Sequence, residues 1–271
     1  MTRVVAVANQ KGGVGKTTTT VNVAAALGRA GHRTLVVDLD PQANASQALG
    51  IDRATGSPSV YEVLLDGISI VDVQLPTNEP NVRCVTASVD LAGAEVELVG
   101  VPNREGRLAA AIAAMDSAES IESGDGPPEI ILIDCPPSLG LLTVNALVAA
   151  DELLVPVQAE FYALDGVGQL IRTMELVRTA LNPRLQISLV ALTMIGPGTS
   201  AQEHIVDQAR AFFGDRLAPT MIPRDAVLCE APSIGSTALS LAPESPGARA
   251  YASLARDLLA LPVSTGKYIK I

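Results

Sequence analysis

The stretch NQKGGVGKTTTT, Asn9 to Thr20, constrains this chain more than any other part of it. It lies between a continuous apolar run, RVVAVAN, and a segment from Thr17 to Ala30 with helical character. Gly12, Gly13 and Gly15 let backbone N–H groups close around an anion that bulkier side chains would keep away. A helix opening directly after such a turn aims the positive end of its dipole at the same anion. Lys16 is spaced to reach β- and γ-phosphates, and the Thr17 hydroxyl to ligate Mg²⁺. The pattern departs from the plain G-x-x-x-x-G-K-[ST] loop. Gln10 stands where the first glycine belongs, and Lys11 precedes the glycines. Six matched positions have an accidental probability of roughly 10⁻⁵ at average residue frequencies, so a ligand-free glycine turn is the poorer reading.

Composition narrows the remaining classes. The chain has 271 residues, 48% hydrophobic and 18% charged, with a net charge of −10. Such an acidic chain does not coat nucleic acid by bulk charge. Lysine occurs only at positions 11, 16, 267 and 270, so half of it sits in the glycine turn. Cys84, Cys135 and Cys229 are far apart, and His32 and His204 are the only histidines. That supplies neither a disulfide framework nor a zinc ribbon, and a Ser-His-Asp triad poorly. The opening run lacks a signal-peptide layout, and no apolar run approaches the ~18–20 residues of a membrane span. A cytoplasmic chain is the expectation.

Short β-branched runs alternate with longer helical patterns. Strands are expected at Arg3–Asn9, Arg33–Leu39, Val82–Ala87, Glu129–Asp134, Glu152–Gln158, Gln186–Met194 and Ala218–Pro223. Several are apolar throughout, as parallel strands covered on both faces require. Helices are expected at Thr17–Ala30, Leu91–Val99, Arg104–Ile121, Leu139–Ala150, Leu164–Leu181, Ala201–Phe213 and Pro246–Leu261. Strand, crossover helix and strand in repetition read as a doubly wound α/β domain, with a mostly parallel sheet and helices on both faces. One domain spanning 1–271 is expected, with 122–128 a surface loop, Gly196–Ser200 a second loop and 262–271 a flexible tail.

Two further motifs end apolar strands. LVVDLDPQAN places Asp38 and Asp40, and IILIDCPPS places Asp134, at the carboxyl ends of their strands. In doubly wound sheets ligands bind at those ends, so these carboxylates are expected beside the glycine turn. An acid there can hold Mg²⁺, directly or through water, opposite the loop threonine.

With these residues in place the chain resembles the ParA/MinD family of deviant Walker A ATPases, most closely its chromosome- and plasmid-partition branch. The match is carried by KGGVGKTTT (Lys11–Thr19), VDLDPQANAS (Val37–Ser46), IDCPPSLGLLTVNAL (Ile133–Leu147) and IPRDAVLCEAPS (Ile222–Ser233). The resemblance implies a P-loop ATPase in which ATP and Mg²⁺ are sandwiched between two copies of the chain. Lys11, Gly12, Gly13, Val14, Gly15, Lys16, Thr17 and Thr18 would bind the nucleotide. Lys16 would act within its own subunit, and Lys11 across the homodimer on the partner's nucleotide. Asp40 would position the attacking water, Thr17 would ligate Mg²⁺, and Asp134 would support it through water. Backbone around Pro223 and Asp225 would border the adenine. Slow, dimer-dependent hydrolysis, stimulated by a ParB-like or cargo-adaptor protein, would drive partition or positioning of DNA.

The chain departs from that branch where non-specific DNA binding is concerned. A loop of the form D-x-R-T reads MIGPGTS here, and a P-R-N-V-R segment reads PRDAVLCE, keeping Arg224 but not the later arginine. Residues Ala163–Ala260 hold eight Arg, no Lys and nine acids. Phosphate contacts need local cations, so DNA binding rests on the resemblance, with Arg224 its one retained motif residue. The end LPVSTGKYIKI does not form the basic amphipathic helix with which MinD-type relatives meet a membrane. The alternatives are a ParA-like ATPase positioning a protein cargo, a non-hydrolysing regulator, and a metabolic enzyme of dethiobiotin synthetase or nitrogenase iron-protein type. For the last, Cys135 lacks a suitably placed second cysteine and reads better as a buried strand-end residue.

Overall fold

The computed structural model describes residues 2–51, 57–117, 126–160, 163–196, 198 and 200–262. Its strands are β1 (Arg3–Val7), β2 (Thr34–Asp38), β3 (Gln74–Pro76), β4 (Val82–Val85), β5 (Ile130–Asp134), β6 (Glu152–Gln158) and β7 (Gln186–Thr193). Its α-helices are α1 (Lys16–Arg29), α2 (Asn44–Ala48), α3 (Val60–Leu65), α4 (Leu91–Glu97), α5 (Arg107–Ser117) and α6 (Leu141–Ala149). They continue as α7 (Ala163–Ala180), α8 (Ser200–Phe213), α9 (Val227–Glu230), α10 (Ala238–Leu241) and α11 (Pro246–Ala260).

The strands pair in the order β3-β4-β2-β5-β1-β6-β7, parallel throughout except for the antiparallel β3 edge. Every residue of β1, β2 and β5 is buried, which is why their sequences are apolar without alternation between their polar end residues. Successive side chains still point to opposite faces. Val4 and Ala6 therefore join one apolar layer and Val5 and Val7 the other. The first layer receives α6 through Leu142 and Leu147, and the second receives α1 through Val21 and Leu27. The helices following the neighbouring strands β1 and β5 thus leave to opposite faces. That divergence opens the crevice at the carboxyl ends where doubly wound proteins bind ligands.

A buried ion pair fastens the far end of the sheet. Arg3 Nε and Nη2 donate to the two Glu152 carboxylate oxygens at 2.8 and 2.7 Å, and Nη1 donates to the Leu258 carbonyl at 2.8 Å. The contact joins β1, β6 and α11. Helix α11 begins at the expected Pro246 and is capped by Ser245, whose side chain accepts from the Ala248 amide.

Three features differ from the sequence reading. Ala218–Pro223 forms no strand: its Ala218 and Ile222 amides donate to the Val190 and Leu192 carbonyls of β7 at 2.8 Å, and isolated bridges flank them at Leu217 and Pro223. Its two prolines, Pro219 and Pro223, cannot donate to a ladder. Strand β3 is unanticipated, being three residues long and ending in Pro76 at a sheet edge, where a missing N–H is tolerated. The short helices α2, α3, α9 and α10 arise in spans read as connections, because 4–6 residues carry too little periodicity. Smaller shifts also occur: α4 closes at Glu97 into a 3₁₀ turn, Leu98–Gly100, and α5 is preceded by another, Arg104–Gly106. Of the expected loops and tail, residues 122–125, 197, 199 and 263–271 lie outside the described residues, as do 118–121 of the long helix expected before them.

Candidate active site

The turn between β1 and α1 is held open by its backbone and by its neighbours. Gly13 and Gly15 have φ of +74° and +89°, conformations that side-chain-bearing residues rarely adopt. A Cβ at Gly12 or Gly13 would meet nothing within 4 Å, so the turn presents bare backbone to open space. Inside, the Val14 carbonyl accepts a 2.9 Å hydrogen bond from Thr193 Oγ1 at the end of β7. The Lys11 amide donates to Asn9 Oδ1 at 3.0 Å, and Asn9 Nδ2 donates to the Pro156 carbonyl at 2.7 Å. A backbone carbonyl of β6 and a side chain of β7 thus fix the turn against the sheet. Open backbone with positive-φ glycines at a helix N-terminus fits a polyphosphate.

Lys16 starts α1, is only 7% exposed, and donates to the Lys11 carbonyl at 3.3 Å across the turn. Burial lowers its pKa, while the nearby Asp134 carboxyl works against that shift. One residue on, Thr17 Oγ1 donates to Asp134 Oδ2 at 2.8 Å, and Thr20 Oγ1 to Asp134 Oδ1 at 2.9 Å. Asp134 is fully buried, and burial, then the neighbouring Asp38, push its pKa up to about 8. A hydroxyl and a carboxylate in contact at the foot of a phosphate turn suit Mg²⁺, which takes one or two protein oxygens and fills its shell from water and phosphate. Among the described residues no three His, Cys, Asp or Glu side chains converge as an all-protein metal cage.

At the end of β2 and just past it, Asp38 and Asp40 divide their labour. Asp38 Oδ2 accepts from the Ser46 amide and hydroxyl at 2.9 and 2.8 Å, and Oδ1 from the Asp40 amide at 3.1 Å. Its acceptor oxygens are taken up in shaping the loop into α2, so it holds the backbone that carries Asp40. Asp40 is 8% exposed, accepts from the Gln42 amide at 3.0 Å, and lies within electrostatic reach of Lys16. Cys135, next to Asp134, is buried, and burial pushes its thiol well above the ordinary range, so it offers no reactive thiolate.

Beyond Gly15 and Thr18 a cavity of about 360 Å³ opens, lined by Thr193, Pro223, Asp225, Leu228 and Tyr251 among others. Its shape is set at two points. Asp225 accepts from the Val227 amide at 3.1 Å and from the Gly247 amide at 2.7 Å, tying the cavity wall to the start of α11. Burial opposes that carboxylate, but these amide bonds outweigh it and hold Asp225 below its ordinary value. Tyr251 is fully buried with its hydroxyl 3.2 Å from Thr19 Oγ1, so α11 supports both the cavity and α1. Thr193 and Tyr251 were not singled out from sequence, since neither belongs to a local motif. Topology alone brings them to the turn.

The remaining sequence candidates lie at the rim. Lys11 is half-exposed and its ammonium donates to Glu160 Oε2 at 2.7 Å. Arg224 is exposed beside the cavity. Of the other arginines in this half, Arg178, Arg184 and Arg210 are paired with Glu175, Asp151 and Asp207.

The sequence family described as an AAA domain matches residues 2–187. The chain is 45% identical over 257 residues to the chromosome partitioning protein ParA of Caulobacter vibrioides, covering 95% of this chain and 94% of that protein. It is 43% identical over 260 residues to the sporulation initiation inhibitor protein Soj of Bacillus subtilis, covering 96% and 99%. Among solved structures, cobyrinic acid a,c-diamide synthase of Mycobacterium smegmatis, with bound ATP analog and magnesium, superposes with a TM-score of 0.79 at 37% identity over 96% of this chain and 95% of that one. The septum site-determining protein MinD of Pyrococcus horikoshii, complexed with Mg-ADP, gives 0.74 at 28% identity over 95% and 96%.

Proposed function

Because the chain belongs to the ParA/MinD family of deviant Walker A ATPases, in its ParA/Soj branch, we propose that it is a switch that pairs on binding ATP and partitions or positions DNA. It is an ATPase, and its ligands are ATP and Mg²⁺. Among the described residues no helix is long and apolar enough to cross a membrane.

The observation that carries the mechanism is the opposite disposition of two lysines on one turn. Lys16 is buried and folded inward over the loop, while Lys11 stands half-exposed at its rim. Lys16 neutralises phosphate charge within its own chain, and Lys11 does so for a second copy docked face to face. Backbone N–H groups of Gly12 to Thr18 hold the triphosphate. Thr17, and Asp134 through water, would hold Mg²⁺, which would supply charge neutralisation at the phosphates. Asp40 orients the attacking water. Phosphoryl transfer depends on positioning and on neutralising spread charge, so a cation delivered only by a partner makes turnover conditional on pairing. Pro223 and Asp225 border the base in the cavity beside Gly15.

A ParB-like partner and nucleoid DNA complete this reading, with Arg224 and the exposed Arg172, Arg249 and Arg256 as the phosphate-contacting set. One observation favours a second cargo class: three of the arginines in the DNA-facing half are already ion-paired. Under that reading the same ATP cycle positions a protein assembly. Light scattering of the purified chain with ATP, ADP and no nucleotide tests the switch, with dimers expected in ATP alone. A single chain under all three conditions would refute it.

A further inference from the structure

In the single chain the Lys11 ammonium is already committed. Its 2.7 Å ion pair with Glu160 joins two anchored groups. Lys11 is fixed at its amide by Asn9, and Asn9 is fixed to Pro156 of β6. Glu160 lies two residues beyond the end of β6; its amide donates to the Gln158 carbonyl at 2.8 Å, and Gln158 Nε2 donates to the second carboxylate oxygen. Both partners therefore hang from the neighbouring carboxyl ends of β1 and β6, and their side chains remain 39% and 45% exposed to anything that docks there. Glu160 belongs to none of the phosphate-binding motifs.

We propose that Glu160 is a positioning residue that holds Lys11 back in the single chain, so that only a partner bearing a terminal phosphate draws it across. The proposal rests on the role of Lys11 in trans. Each pairing event breaks two Lys11–Glu160 contacts and brings two carboxylates toward the partners' phosphates. A triphosphate has the charge and reach to compete for the ammonium. A diphosphate lacks the group that would meet it, and the ion pair persists. Arg224 also bears electrostatically on Glu160, so the carboxylate keeps a counter-charge when Lys11 departs.

The test compares wild type, Glu160→Gln and Glu160→Asp by light scattering across protein concentration with ATP and with ADP. Exposed ion pairs are individually weak, and two are broken per dimer, so Glu160→Gln is expected to pair in ATP at about 2- to 30-fold lower concentration. In ADP, where no terminal phosphate meets Lys11, Glu160→Gln should stay single like wild type, and Glu160→Asp, which keeps the carboxylate, should pair in ATP as wild type does. With four lysines in the chain, side-chain NMR gives a second readout. The nucleotide-free Glu160→Gln protein should show one displaced ammonium-bearing lysine, absent from the spectrum of Lys11→Ala. Unchanged or weaker pairing of Glu160→Gln in ATP would overturn the proposal. If Lys11→Ala itself still pairs in ATP, the trans role fails instead; loss of pairing there with an indifferent Glu160→Gln refutes the restraint alone.

Discussion

Asp38 and Asp134 are register partners on adjacent parallel strands, and both carboxyls are fully buried. Burial is the main cause that raises each; the Asp40 charge adds to the rise at Asp38, and the Asp38 charge to that at Asp134, so Asp38 is pushed up to about 6 and Asp134 to about 8. The folded chain therefore binds more protons than the unfolded chain between about pH 4 and pH 8, and stability falls as pH rises through that window. Nucleotide- and magnesium-free protein should lose thermal stability from pH 6 to pH 8. Asp134→Asn, which keeps an acceptor for one threonine hydroxyl and turns a donor to the other, should flatten the slope. A wild-type melting temperature constant over that range would contradict the account.

Lys11→Ala should retain ATP binding within the single chain, because the glycine turn, Lys16 and Thr17 are untouched. ATP-dependent dimers and turnover should both disappear. Calorimetry for binding and light scattering for pairing separate the two effects.

Asp40→Ala removes the carboxylate presented by the Asp38-anchored loop without removing that anchor. ATP-bound dimers should accumulate and phosphate release should fall by about 10²-fold or more, the scale typical of losing a group that positions or activates a nucleophile. Unchanged phosphate release would remove Asp40 from the mechanism.

Glu152→Ala should be severely destabilising. It leaves the buried Arg3 guanidinium without its carboxylate, and breaking such a pair from one side costs about 3–5 kcal/mol. Denaturant titration measures the loss; a change below about 1 kcal/mol would show that water enters to solvate Arg3.

DNA retention by the ATP-bound form should appear at low salt, weaken steeply as salt rises, and diminish in Arg224→Ala. A gel shift with and without ATP checks all three. Absence of retention at low salt would favour the protein-cargo reading.

The central strands and the glycine turn were legible because their signals are local. A strand covered on both faces must be apolar through its middle, as β1, β2 and β5 are, with polar residues such as Arg3, Asp38 and Asp134 only at their ends. A turn that wraps phosphate must carry glycine where φ is positive, as at Gly13 and Gly15. Chain order likewise placed Asp40 and Asp134 at strand ends. The Pro219 and Pro223 interruption of the expected last strand, and the three-residue edge β3, were not legible, because neighbouring backbone decides whether so short a segment pairs.

What the sequence determined by itself was the chemistry at hand: two lysines around bare backbone, a hydroxyl after them, and carboxylates ending apolar runs. Only the folded chain decided which of these groups meet. It set Asp134 against Thr17 across 117 positions of sequence, brought Tyr251 behind the turn, and gave Lys11 to Glu160. Contacts between distant segments follow from strand order and helix packing, which no local spacing encodes.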